Sequence, residues 1–269
     1  MSHCPMPRSL AEQDVLEDRL TRLDEPHVAP LNALVRKLQT ARGGSATVPW
    51  FDPADGGIYA RILALQEAPG ARSVQAGIVR ARGGGSGIIS SDNNDHTAGN
   101  FSSARDKAGV PRSWLVSWNI VPWYLGNTTK IATPGQTDLA AASMWTRALL
   151  GLLPELVVVM VLGLSAQSGF KKLLAGGSVP RNFIVIPAPH PSPQNMNTRP
   201  TAMPRLVEAF ETAAADVRRR DADTTARSLT QDAVERQEVR RHLAGRSLPR
   251  TPGTVAISGP RARPPSTRA

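Results

Sequence analysis

The sequence predicts an α/β protein of three layers, α/β/α, around a central, mostly parallel four-stranded sheet. Three observations carry that expectation. Four short aliphatic or β-branched runs, at 61–65, 114–120, 156–162 and 182–186, are separated by segments of helical pattern. The runs are apolar at consecutive positions instead of alternating, the pattern of strands buried on both faces and hence of a parallel sheet under helices. Polar, conformationally constrained loops follow the first and fourth runs, at the carboxyl ends where open α/β sheets build their sites.

Taken in order, residues 9–40 read as helical. Ser9 is a candidate N-cap with Glu12 three residues on, and Leu16, Leu20 and Leu23 repeat on one face. Residues 27–30 interrupt the pattern, Leu31-Asn32-Ala33-Leu34-Val35 resumes it, and Ala41-Arg42-Gly43-Gly44 ends it. Val48-Pro49-Trp50-Phe51-Asp52-Pro53 reads as a loop before the first strand. The glycine-rich, polar stretch 69–100 reads as one long loop; at that length inside a compact domain it is either functional or disordered. A helix at 137–152 leads into the third strand. Pro154 and Glu155 interrupt the apolar stretch 149–164, leaving it too short to span a bilayer. Gly163-Leu164-Ser165-Ala166 turns into a helix ending near Ala175, and 199–219 reads as a last helix. Beyond 251 the Pro, Gly, Ser and Arg content predicts disorder.

The chain has 269 residues and a net charge of +10, with a sequence pI near 10.9. Such a balance favours a polyanionic partner, because each phosphate neutralised releases condensed counterions. From Ala215 onward, however, twelve Arg stand against six acids, so +6 of the excess lies in the last 55 residues, which equally fits a solvated or disordered basic tail. Cys4 is the only cysteine. Disulfide frameworks and cysteine-ligated zinc or iron–sulfur clusters within one chain are thereby excluded, and a reducing cytoplasm is compatible. The first residues lack the basic-then-apolar order of a signal peptide. No membrane span, no metal and no cofactor is expected.

The chemistry-bearing residues stand at strand ends. Gln66-Glu67-Ala68-Pro69-Gly70 follows the first strand and offers a carboxylate; His190-Pro191-Ser192-Pro193 follows the fourth and offers an imidazole. Pro187, Pro189, Pro191 and Pro193 fix φ around His190 and Ser192, a concentration hard to assign to packing alone. Asn119 closes the second strand in Trp118-Asn119-Ile120-Val121-Pro122. Read singly, Glu67 is equally an exposed loop acid, Asn119 an amide that ends a strand, and His190 a structural histidine. Gly163-Leu164-Ser165-Ala166 ends a strand and opens a helix, so free N–H groups near Ser165 can hold a phosphate. It lacks the glycine pattern of a dinucleotide fingerprint, and no P-loop occurs, so no nucleotide cofactor is expected.

Together, these three segments resemble the uracil-DNA glycosylase superfamily over roughly 48–219. The resemblance divides the chain into an N-terminal helical extension at 1–47, a glycosylase-like catalytic domain at 48–219 and a basic, partly disordered tail at 220–269. It implies a monofunctional glycosylase that hydrolyses the N-glycosidic bond of uracil in DNA, as a monomer, in the cytoplasm or on a bacterial nucleoid. By the resemblance, Glu67 handles water and the sugar cation, His190 the departing base and Asn119 the base edge. Pro69 and Gly70 complete the first motif, and Ile88 or Phe101 supplies the apolar face where the family stacks an aromatic. Ser192 holds a DNA phosphate between Pro191 and Pro193, and Gln194-Asn195-Met196 forms the wedge that fills the vacated stack. Asp92, Asn94 or Asp95 can share the water-positioning role or form a solvated turn. The nearest branch reads Gly-Glu-Ala-Pro-Gly, and two departures from it stand out. Gln66 replaces the first glycine, and the four cysteines of that branch's iron–sulfur cluster are missing. Two alternatives therefore stay open: a glycosylase for another deaminated base such as hypoxanthine or xanthine, and a DNA-binding protein of the same fold with weak catalysis.

Overall fold

The computed structural model describes residues 8–45, 47–74, 85–126, 132–177, 179 and 182–244. The expectation of disorder beyond 251 lies outside them, as does Cys4. The chain divides into two compact units, Met1–Ala222 and Asp223–Ala269. Of the second, the described part is the continuation of one helix, with its described side chains exposed.

The first unit is the expected α/β/α sandwich, and its sheet is wholly parallel. Strands β2 (Ile62–Gln66), β4 (Leu115–Asn119), β5 (Val158–Leu162) and β6 (Ile184–Ala188) lie in the order β4-β2-β5-β6. Alternate residues feed two cores, as a pleat of period two requires. Leu63, Leu65, Val116, Trp118, Val159 and Val161 meet helices α2 (Ala29–Ala41), α4 (Gln136–Gly151) and α5 (Leu164–Ala175) on one face. Ile62, Ala64, Leu115, Val158, Met160 and Leu162 meet α3 (His96–Lys107) and α7 (Ala202–Ala244) on the other. The register levels the carboxyl ends: Gln66 pairs with Asn119, and Leu162 with Ala188. Among the described residues no helix is long and apolar enough to cross a membrane.

Several local readings are corrected. The fourth strand lies two residues later than expected and is the sheet edge, not a fully covered strand: Ile184 is 41% exposed and Val185 38%. Pro187 is admitted there because an edge strand has N–H positions that need no ladder partner. Helix α1 starts at Gln13 (Gln13–Thr21), so Ser9 is not its cap; Ser9 opens a short 3₁₀ turn, and its hydroxyl is buried without a partner among the described residues. Leu16, Leu20 and Leu23 are only half-buried, and the residue α1 sends inward is Arg19. The 69–100 stretch is not one loop. Its end forms α3, capped by Asp95, whose carboxylate accepts the Ala98 N–H at 2.9 Å. Within it β3 (Ile88–Ile89) pairs with β1 (Trp50–Phe51), a segment also read as loop. The last helix does not stop at 219 but continues to Ala244.

Arg19 belongs to a buried charge cluster. It binds Asp52 at 2.6 Å and Asp92 at 3.2 Å, while Arg112 binds Asp52 at 2.6 Å, Asp55 at 2.8 Å and Asp92 at 2.5 Å. Three carboxylates thus share two guanidinium groups. Burial pushes the Asp55 carboxyl up to about 7, and Asp52 and Asp92 add to this against the pull of Arg112. The folded protein therefore holds a proton that the unfolded chain releases near pH 4. That stabilisation is complete below the unfolded value and is lost as pH rises through about 7. Wild-type Tm is expected to fall between about pH 4 and about pH 7 and to level off above that, and Asp55→Asn, which keeps the acceptor for Arg112, is expected to flatten that fall. An unchanged slope in a pH series of thermal melts would count against this assignment.

Candidate active site

The strand order sets the position of the cleft. The chain leaves β2 for β4 on one side and leaves β5 for β6 on the other, so the crevice opens between the carboxyl ends of β2 and β5. Glu67 is the first residue after β2, and Gly163 is the first after β5. Gly163 has φ +94, a region costly for side chains. A Cβ there would lie 2.7 Å from Glu67 Oε1 and 3.0 Å from His190 Cβ. The bare glycine is what leaves room beside it for both the Glu67 carboxylate and the His190 side chain.

Glu67 is held from both sides. Its Oε1 accepts the Ser165 N–H at 3.0 Å, in the first turn of α5, where helix ends carry free donors and favour negative charge. Its carbonyl accepts the Val121 N–H at 3.1 Å, and that of Gln66 the Ile120 N–H at 2.7 Å. Gln66 itself sits in ladder register opposite Asn119 without positive φ, so the position demands no glycine. Gly70 likewise has φ −74, and a methyl group added to it would meet nothing within 4 Å. Ser165, read from the sequence as a phosphate donor, has its N–H committed to Glu67.

His190 lies two residues beyond β6, on a loop braced by three bonds. Its Nδ1 accepts the Ser192 N–H at 3.2 Å. Asn195 Nδ2 donates to the His190 carbonyl at 3.1 Å, and Asn100 Nδ2 donates to the Pro191 carbonyl at 2.9 Å. Burial lowers the imidazole pKa, against the opposing pull of Glu67 and Asp95. An Nδ1 that accepts places the proton of the neutral ring on Nε2. Ser192 caps the short helix α6 (Pro193–Thr198), accepting the Asn195 N–H at 3.5 Å. Pro191 is buried, Pro193 half-buried and Gln194 exposed; Asn195, expected in a wedge, turns its amide to the histidine loop.

Asn119 is 2% exposed, and its Oδ1 has no hydrogen-bond partner among the described residues. A buried acceptor without a partner carries a desolvation cost of about 1–3 kcal/mol that a ligand N–H relieves. Glu67, Pro69, Gly70, Asn119, Ser165 and His190 all line one cleft of about 1230 Å³, joined by Ser192, Pro193, Gln194 and Asn195. Phe101 lines it from α3, edge-on to Phe210 at 5.2 Å. Ile88 does not. It is fully buried, with its carbonyl taken by Ser86 and Asn93, and the neighbouring Ile89 reaches the wall instead. Asp92 is committed to the charge cluster, Asn94 is exposed, and Asp95 lines the cleft as the α3 cap. The sequence reading missed Ser117, Ser90, Ser91 and Gln167 on the same wall. Ser117 had a usable signal: it stands two residues before Asn119 and so shares its strand face.

A carboxylate on a helix N-terminus, a neutral imidazole and a buried amide around one switch-point cleft define a site for acid–base work on a polar substrate. The model of the family described as the uracil DNA glycosylase superfamily matches residues 53–214, more than half of the chain, and the chain belongs to that superfamily. By membership it is a DNA glycosylase, a hydrolase of DNA repair. No curated protein matches the sequence. Among solved structures, wild-type SMUG2 of Pedobacter heparinus is similar over 60% of this chain and 76% of that one, at 12% identity and a TM-score of 0.43.

Proposed function

We propose that this glycosylase excises uracil from DNA and leaves an abasic site, without lyase chemistry. The convergence of Glu67 and His190 on Gly163, with Asn119 in the same cleft, is the observation that carries the reading. As the C1′–N1 bond breaks, its electron pair departs with the base and the sugar becomes oxocarbenium-like. The Glu67 carboxylate offsets that positive charge and takes a proton from the water whose oxygen adds to C1′. The neutral His190 ring donates Nε2–H to the uracil carbonyl oxygen beside N1, spreading the charge of the leaving anion. Asn119 accepts N3–H and donates to O4, a pair of bonds that cytosine, with the reverse pattern, fails to make.

The nucleotide must leave the stack to reach this depth. Pro69, Gly70, Ile89 and Phe101 offer the apolar wall for the flipped base, and Ser192, Pro193 and Gln194 face the strand that carries it.

His190→Ala supplies the test. It is expected to lower uracil excision by about 10²–10³-fold under single turnover. The deficit is expected to shrink on 5-fluorouracil, whose anion is intrinsically more stable and needs less help. Equal deficits on both bases would move His190 from the leaving group to some other task. Release of hypoxanthine but not uracil by the wild type would overturn the base assignment.

A further inference from the structure

Helix α3 connects the buried charge cluster to the histidine loop. Asp92 is 2% exposed and is held from three separate segments. Its carboxylate receives Arg112 from the turn before β4 and Arg19 from α1, and its carbonyl accepts the Leu10 N–H at 3.2 Å. The stretch that follows is tightly built. The Asp92 N–H is donated to Ser90 Oγ at 2.9 Å, the Asp95 N–H to the Asn93 carbonyl at 2.8 Å, and Asp95 caps α3. One turn into α3, Asn100 grips the Pro191 carbonyl, between His190 and the Ser192 N–H that fixes its tautomer. Arg19 and Leu10 lie outside the region matched by the family.

Buried ion pairs are weak contributors to net stability, because desolvation cancels much of their attraction. What they supply is geometry: Arg19 and Arg112 fix Asp92 in direction as well as in place. We propose that Arg19 and Asn100 are positioning residues for His190, Arg19 by fixing the start of α3 through Asp92 and Asn100 by holding the histidine loop through Pro191. The N-terminal helix α1 thereby becomes part of the working glycosylase unit. The proposal rests on the reading of His190 given above, and its test includes a readout that needs no turnover.

Asn100→Ala, Arg19→Ala and Arg19→Lys would be compared in the full chain with the wild type. Four quantities would be read: thermal melt, single-turnover rate at saturating protein, half-saturating protein concentration, and the His190 imidazole NMR signals, assigned by their loss in His190→Ala. Asn100→Ala is expected to lower the saturated rate about tenfold with half-saturation within about twofold, and to displace the His190 signals. Arg19→Ala is expected to act in the same direction, with Arg19→Lys restoring part of the rate. A role in stability alone would lower Tm while leaving the rate of folded protein and the imidazole signals unchanged; that result overturns the proposal. Should Arg19→Ala fail to fold, Arg19→Lys and Asn100→Ala carry the comparison. Should the wild type excise no base, the glycosylase reading falls, and the imidazole signals alone decide whether these residues position His190.

Discussion

Glu67→Gln is expected to lower single-turnover excision by about 10²–10⁴-fold while leaving the fold and oligonucleotide affinity close to wild type. The substitution is nearly isosteric, and the amide oxygen can still accept the Ser165 N–H that holds Glu67 Oε1 at 3.0 Å. What disappears, on the proposed function, is the negative charge facing the sugar cation and the capacity to take a water proton. Both act in the transition state, so the loss belongs in the saturated rate and not in half-saturation. Removing a negative charge beside a polyanion also tends to tighten binding, which sharpens the contrast. A variant whose affinity fell as far as its rate would show Glu67 to be a substrate-binding group instead.

Gly163→Ala is expected to damage both stability and rate. At φ +94 and ψ 161, a region essentially only glycine adopts, an alanine carries backbone strain of about 1–3 kcal/mol. Its Cβ would stand 2.7 Å from Glu67 Oε1, which can swing away only by leaving the Ser165 N–H, and 3.0 Å from His190 Cβ, which moves only with its loop. A displacement of about 1 Å at the reacting groups costs about 10²-fold in rate. Tm is expected to drop by a few degrees, about 2–4 °C per kcal/mol for a unit of this size. Single-turnover kinetics well below the melting temperature separate the two effects. A variant with lowered Tm but wild-type rate would mean that Glu67 and His190 work without the close approach that Gly163 permits.

The sequence was most readable where burial is continuous. β2, β4 and β5 are covered on both faces, so their apolar runs announce them, and the polar residues that end them, Glu67 and Asn119, stand out by contrast. His190 was conspicuous for its prolines. β6 was displaced because the apolar residues Ile184 and Val185 are the exposed part of an edge strand, while Pro187 and Ala188 complete it. Helix α3 was hidden by its polarity: Ala98, Phe101 and Ala104 are its apolar buried anchors, set among Gly99, Asn100, Ser102 and Ser103. The charge cluster left no local trace at all. Arg19 lies 33 residues from Asp52 and 73 from Asp92, and an isolated Arg or Asp in a sequence looks like solvated surface. Only folding brings such groups together, which is why the residues that brace the candidate site were illegible although Glu67, Asn119 and His190 were not.

Whether this chain releases uracil is decided by single-turnover treatment of labelled oligonucleotides carrying one uracil, single- and double-stranded, with EDTA present and with hypoxanthine and undamaged controls. An alkali-labile break at uracil alone, with intact strands in both controls, is the predicted result. Folded protein that binds the oligonucleotide and leaves uracil in place would contradict it.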